Sequence, residues 1–132
     1  MGLLKRIFGI CETKKPRDSN CWNYGNGKVM LDWARVPELH KPCGAVRIEG
    51  KKIPGRIIVI QGFDGQFHAF MNQCTHMGRR IDPVAETTLI RCCSLNKSTF
   101  DYTGNVMSGP AKESLKKLRV ETRKCKVIVW FD

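Results

Sequence analysis

The chain has 132 residues, 23 Lys and Arg against 12 Asp and Glu, a formal charge of +11, and seven cysteines. That length holds one domain with a modest core, and 42% apolar with 27% charged residues excludes a disordered chain. No apolar run is long enough to span a bilayer. The odd cysteine count excludes a complete intramolecular disulfide framework, so the cysteines are expected to be thiols or metal ligands in a reducing, cytoplasmic setting.

The first ten residues, Met1 to Ile10, carry Lys5 and Arg6 inside an apolar stretch, which is the wrong charge order for a secretory leader. As a helix they would align Leu3, Leu4, Ile7 and Phe8. Such a face serves either peripheral docking on a membrane or subunit, or packing on its own domain. Residues 11–28 have loop composition. Cys11 and Cys21 lie within them at a spacing that matches no zinc motif, so they read as unrelated thiols. Residues 1–28 are therefore taken as an apolar segment and polar linker, and 29–132 as the domain.

From Val29 onward the chain reads as β. Strands are expected at Val29–Trp33, Ala45–Glu49, Arg56–Gln61, Gln66–Phe70, Thr87–Cys92, Lys117–Thr122 and Lys126–Phe131. Asp64-Gly65 marks a tight hairpin, and Val36-Pro37-Glu38-Leu39 a helical turn. In the last strand Val127, Val129 and Phe131 alternate with Ile128 and Trp130, so both of its faces are expected to be buried. The pattern is all-β, a small sandwich or barrel. The segment from Asn72 to Asp101 is a long, less apolar excursion, which marks it as functional or disordered.

That excursion carries Cys74-Thr75-His76 and, after sixteen intervening residues, Cys93-Ser94-Leu95-Asn96. Thiolates with imidazole favour zinc or an iron–sulfur centre over magnesium or calcium. The stretch Gly65 to Gly78 resembles the first half of a Rieske iron–sulfur domain, whose hallmark is Cys-x-His followed by Cys-x-x-His. Phe100-Asp101, Gly104 and Gly109-Pro110-Ala111 resemble the family's strand and proline loop behind the cluster. The resemblance covers about residues 29–131. It implies an antiparallel β base with a small cluster-binding subdomain, here about 72–101, inserted as two loops. It also implies a [2Fe-2S] cluster, with Cys74 and Cys93 on the inner iron and His76 on the outer one.

The fourth ligand of that pattern falls on Asn96, and a carboxamide is a poor donor to iron in a sulfide-rich centre. Four readings stay open. Cys92 replaces the histidine, which requires a sharp turn because neighbours in an extended chain face opposite ways. Asn96, or a water it orients, completes the outer iron. A cysteine from elsewhere or from a partner completes it. Or the cluster is lost and the fold serves as a scaffold. A mononuclear metal such as zinc at Cys74, His76 and Cys93 is a further option. A third thiolate would lower the potential below the usual range of roughly −150 to +300 mV. The cysteine pair that clamps the loops in respiratory and photosynthetic members is missing, since Arg79 stands at one of its places. Arg79 and Arg80 would rim the cluster, as solvated loop residues or as a docking surface for an acidic redox partner.

His40 and His68 read as structural, with His68 facing solvent or a polar contact. Cys43 and Cys125 read as buried or half-buried thiols. The basic residues Lys112, Lys116, Lys117, Arg119, Arg123, Lys124 and Lys126 are expected on outer faces. Without interleaved aromatic residues they favour an acidic protein or anionic lipid over nucleic acid. No nucleophile–base pair or phosphate loop is present. The expected function is one-electron transfer by a non-enzymatic Rieske-like carrier. The alternatives are a cluster-free binding or regulatory subunit and an open-iron site.

Overall fold

Short β-branched runs punctuated by Asn-Gly, Asp-Gly and Lys-Cys turns fold the chain back on itself repeatedly. The computed structural model describes residues 11–75, 78–93 and 98–132; the expected apolar helical face of residues 1–10 lies outside them. The strands are β1 (Trp22–Gly25), β2 (Lys28–Asp32), β3 (Ala45–Ile48), β4 (Ile57–Gln61), β5 (Phe67–Met71), β6 (Ile81–Pro83), β7 (Leu89–Cys92), β8 (Thr99–Asp101), β9 (Val106–Ser108), β10 (Lys117–Arg123) and β11 (Lys126–Trp130). Seven of them form an antiparallel base in the order β1-β2-β11-β10-β5-β4-β3, and β6-β7-β8-β9 form a second sheet. This is the all-β arrangement of a base carrying a smaller inserted subdomain. Among the described residues no helix is long and apolar enough to cross a membrane.

Seven strands fall where the periodicity predicts them, and Pro37–Leu39 forms a 3-10 turn. Strand β8 falls where the resemblance at Phe100-Asp101 implied one, and β1, β6 and β9 are not foreshadowed. β1 lies inside the segment read as a linker, because Asn26-Gly27 closes a two-residue hairpin. Its φ angles of 54° and 76° and its Gly25–Lys28 pairing are those of a primed turn, which Asn-Gly supplies at low steric cost. β6 and β9 have only three residues each, too few for a periodic signal.

Two apolar cores result. The first gathers Val29, Leu31, Val46, Ile57, Val59, Val127 and Val129. The second gathers Ile58, Ile60, Phe70, Ile81, Ile90 and Phe100. Alternate residues of β4 thus face different cores, as the pleat requires. Val127, Ile128 and Val129 of β11 are all buried, as expected for a strand covered on both faces. The seven basic residues of the C-terminal region are exposed.

One expectation needs correction. Cys125 is exposed, because it sits in the turn joining β10 to β11 beside Lys124 at φ 49°. His68 is buried, and of the two surroundings expected for it the structure shows the polar contact. Its Nε2 lies 3.0 Å from Asp64 Oδ2 and its ring stacks on Tyr102 at 4.3 Å, so a polar contact and an aromatic face compensate its burial. His40 has a structural role too, stacked on Trp33 with Nε2 2.7 Å from the Trp33 carbonyl.

Candidate metal centre

Two loops leave the ends of the strands around the second core. The first runs from Asn72 to Arg80 and is closed at its base by one side chain. Asn72 is buried, and its Oδ1 accepts from Ile81 N at 2.9 Å. Arg56 braces the same loop. Its Nε donates to the Asn72 carbonyl at 2.7 Å and its Nη2 to the Gly78 carbonyl. Within the loop, Cys74 N donates to Arg79 O at 2.6 Å and Gly78 N to Cys74 O at 2.8 Å, with Gly78 at φ 69°. That positive φ is the conformation glycine adopts without a Cβ clash.

The second loop leaves β7 and is tied to the first. Cys93 N donates to Arg80 O at 2.9 Å, and Cys92 N donates to Ser98 O at 2.8 Å. The segment after β9 holds both loops from behind. Ala111 N donates to Ser98 Oγ at 3.1 Å, and Thr75 Oγ1 donates to the Glu113 carbonyl at 2.6 Å. A Cβ at Gly109 would lie 2.5 Å from Ser98 Cα, so only glycine allows this approach. Gly109-Pro110-Ala111 therefore occupies the backing position that the resemblance implied for it.

The site residues separate into groups. Cys74 and Cys92 are buried in the second core with Ile81 and Phe100. Cys93 is buried as well, but its Sγ is bonded to Cys11, with the two Cα atoms 5.4 Å apart. Cys92 and Cys93 thus face different surroundings. His76 and Asn96 lie outside the described residues. Arg80 is engaged within the chain, where its Nε and Nη2 donate to the Glu49 carboxylate at 2.6 and 3.1 Å. Arg79 is half-buried.

Cys11 and Asp82 are the functional candidates that the sequence reading did not connect to the site. The carboxylate oxygen of Asp82 and the sulfurs of Cys11 and Cys93 lie within 4.8 Å of one another. Asp82 also accepts from Glu12 N at 2.8 Å and Thr13 N at 3.0 Å. One residue on, Lys14 O accepts from Arg47 N at 3.0 Å. Residues 11–14 form a strap across β6 and β3. The expectation that Cys11 is an unrelated thiol is corrected: a sequence separation of 82 residues lies beyond any spacing motif. The other linker cysteine, Cys21, is buried; desolvation and then the nearby Asp18 and Glu38 charges push its thiol up to about 11, which makes it unreactive.

The Arg80 hydrogen bond holds the Glu49 carboxyl below its usual range, against the opposing effect of burial. A lowered folded-state value means the pair stabilises the fold above the unfolded carboxyl value of about 4.3 and loses that contribution as pH falls through the folded value. Glu49→Gln is therefore expected to flatten the acid limb of the melting curve. Melting temperatures of the two proteins between about pH 6 and pH 3 should converge at the acid end.

The Rieske [2Fe-2S] domain family profile matches residues 33–119, more than half of the chain. The chain belongs to the Rieske [2Fe-2S] domain family. The curated relative "Iodate reductase subunit IdrB" of Pseudomonas sp. (strain SCT) is 42% identical over 66 residues, which is 47% of this chain and 34% of that protein. The chain thus matches about a third of the length of that relative. Among solved structures, the cyanobacterial plasma membrane Rieske protein PetC3 from Synechocystis PCC 6803 superposes with a TM-score of 0.55 at 25% identity, covering 65% of this chain and 85% of that one. A complex of reduced oxygenase and oxidized ferredoxin in carbazole 1,9a-dioxygenase matches with a TM-score of 0.58 at 22% identity, covering 68% and 82%; this second likeness concerns the fold.

The Rieske domain is an electron-transfer domain, and its family implies a [2Fe-2S] cluster. The described donors fit that group in kind. Two loops, each bearing a cysteine, are joined backbone to backbone through Cys93 N and Arg80 O, and an apolar core lies beneath them. Thiolates on a dry floor suit iron bridged by sulfide. Reduction of its bond to Cys11 would free the Cys93 sulfur.

Proposed function

We propose that this Rieske domain works as a one-electron carrier. Cys74 and Cys93 hold the inner iron of a [2Fe-2S] centre and His76 binds the outer one. The observation that carries this reading is the joining of the two cysteine loops through the Cys93–Arg80 backbone bond, with the 109–113 segment bracing both from behind. A cluster reached by two short loops lies near the surface, where an electron can pass to a docked protein. When bound, the cluster supplies the reversible one-electron couple. The chain's own residues exclude water beneath it and fix the loops that hold it.

The partner is an acidic redox protein or enzyme subunit, attracted by the +11 charge and met at the rim by Arg79. By analogy with the iodate reductase subunit, the chain would act as the electron-transfer component of a larger oxidoreductase. Arg80 contributes less to docking, because Glu49 already takes its charge. Residues 1–10 are proposed to touch a membrane or partner subunit peripherally, and the location is proposed to be cytoplasmic.

A second reading, a cluster-free Rieske-fold subunit that binds or regulates a redox complex, is favoured by one observation, the engagement of the Cys93 sulfur with Cys11. Anaerobic purification with iron and sulfide analysis separates the two. The carrier reading expects two irons and two sulfides per chain and a paramagnetic resonance signal on reduction. A protein that takes up no iron under those conditions, or on reconstitution with iron and sulfide, is the cluster-free subunit.

A further inference from the structure

We propose that Cys11 is a ligand of the cluster, supplied by the N-terminal strap in place of the imidazole that the family pattern puts at position 96. The inference rests on the carrier reading above and assigns that site its missing donor. Three observations meet here. The chain has Asn96 where a good iron donor is required. The Cys11 sulfur reaches the Cys93 sulfur. And the strap is held in place independently of that sulfur contact, by the Glu12 and Thr13 amides on Asp82 and by Arg47 N on Lys14 O. Opening the sulfur–sulfur bond therefore leaves Cys11 beside Cys93.

In the carrier reading Cys93 holds the inner iron and Cys11 would bind the outer one, so the two sulfurs must part when the cluster is loaded. Side-chain rotation across Cα atoms 5.4 Å apart lets them do so. Reduction by a dithiol delivers two electrons and two protons to Cys11–Cys93 and gives two thiols, while the dithiol becomes a disulfide. The thiols then lose their protons on binding iron. The disulfide and the iron-bound thiolates are thus the metal-free and metal-bound forms of one pair. Cys92 is a weaker alternative. It is the last residue of β7, held in the sheet by its pairing with Ile81 and by its N–H bond to Ser98, although it shares the second core with Cys74.

The test uses the full chain, reconstituted anaerobically with ferrous iron and sulfide under a dithiol. In the loaded protein Cys11 should react with iodoacetamide roughly tenfold or more slowly than the exposed Cys125, and at a comparable rate once the iron is chelated. Cys11→Ser should retain roughly tenfold less iron than the parent after dialysis, with a changed resonance spectrum. Asn96→His in the Cys11→Ser background should restore two irons with an upward shift in midpoint potential, because neutral imidazole replaces a thiolate. That rescue also shows that the Cys11→Ser chain still folds. Unprotected Cys11 in the loaded protein, or a Cys11→Ser spectrum identical to the parent, overturns the assignment and leaves the carrier reading intact. Loss of iron in Cys92→Ser but not in Cys11→Ser also overturns it. A parent chain that binds no iron overturns both.

Discussion

Cys74→Ser is expected to empty the cluster site while the β base stays folded. Serine keeps the size of the side chain and the two backbone bonds of Cys74, to Arg79 O and from Gly78 N. What it removes is the thiolate. An alcohol does not ionise near neutral pH, and its oxygen is a poor partner for iron in a sulfide-bridged centre. Retained iron should fall by at least roughly tenfold. The buried hydroxyl replaces a thiol that is only 1% exposed, at a cost of about 1–3 kcal/mol unless it finds a hydrogen bond. Iron and sulfide analysis beside circular dichroism reads the two effects separately. Full iron content in the folded variant would remove Cys74 from the ligand set.

The largest stability effect is expected from Phe100→Ala. Phe100 lies on β8, pairs across the strand with Ile90, and is fully buried against Ile58, Ile60, Ile81 and Tyr102. Truncation loses the transfer energy of the ring and leaves a cavity beneath both loops, together about 3–5 kcal/mol. That is a large share of the roughly 5–15 kcal/mol that stabilises an ordinary domain. The control is Phe63→Ala, at a ring that is 51% exposed and where a change within about 0.5 kcal/mol is expected. Urea midpoints measure both, and equal midpoints would contradict the description of the second core.

Most of the base was legible because its strands are long enough to show alternation. The stretches over Ile57–Gln61 and Lys126–Trp130 carry β-branched residues between clear turn signals. The three-residue strands β6 and β9 carry no such signal, and β1 was hidden in polar composition that only Asn26-Gly27 betrayed. At the site, the motif spacing singled out Cys74, His76 and Cys93 as candidates, since short-range spacing records which residues one loop can present. It could not find Cys11 or Asp82. Their meeting depends on where the N-terminal strap crosses β6, a tertiary fact with no local pattern. Charge reading named Arg79 and Arg80 alike, and only the structure shows that Glu49 neutralises the second.

Strand β4 has a consequence for how the molecule moves. Its residues face the base core and the loop-bearing core in alternation, so it is a partition wall shared by both. Neither side can lose its packing without exposing the wall to water. The loops and the base should therefore melt as one cooperative unit, and the amides of Ile57 to Ile60 should exchange with solvent only when the whole chain unfolds.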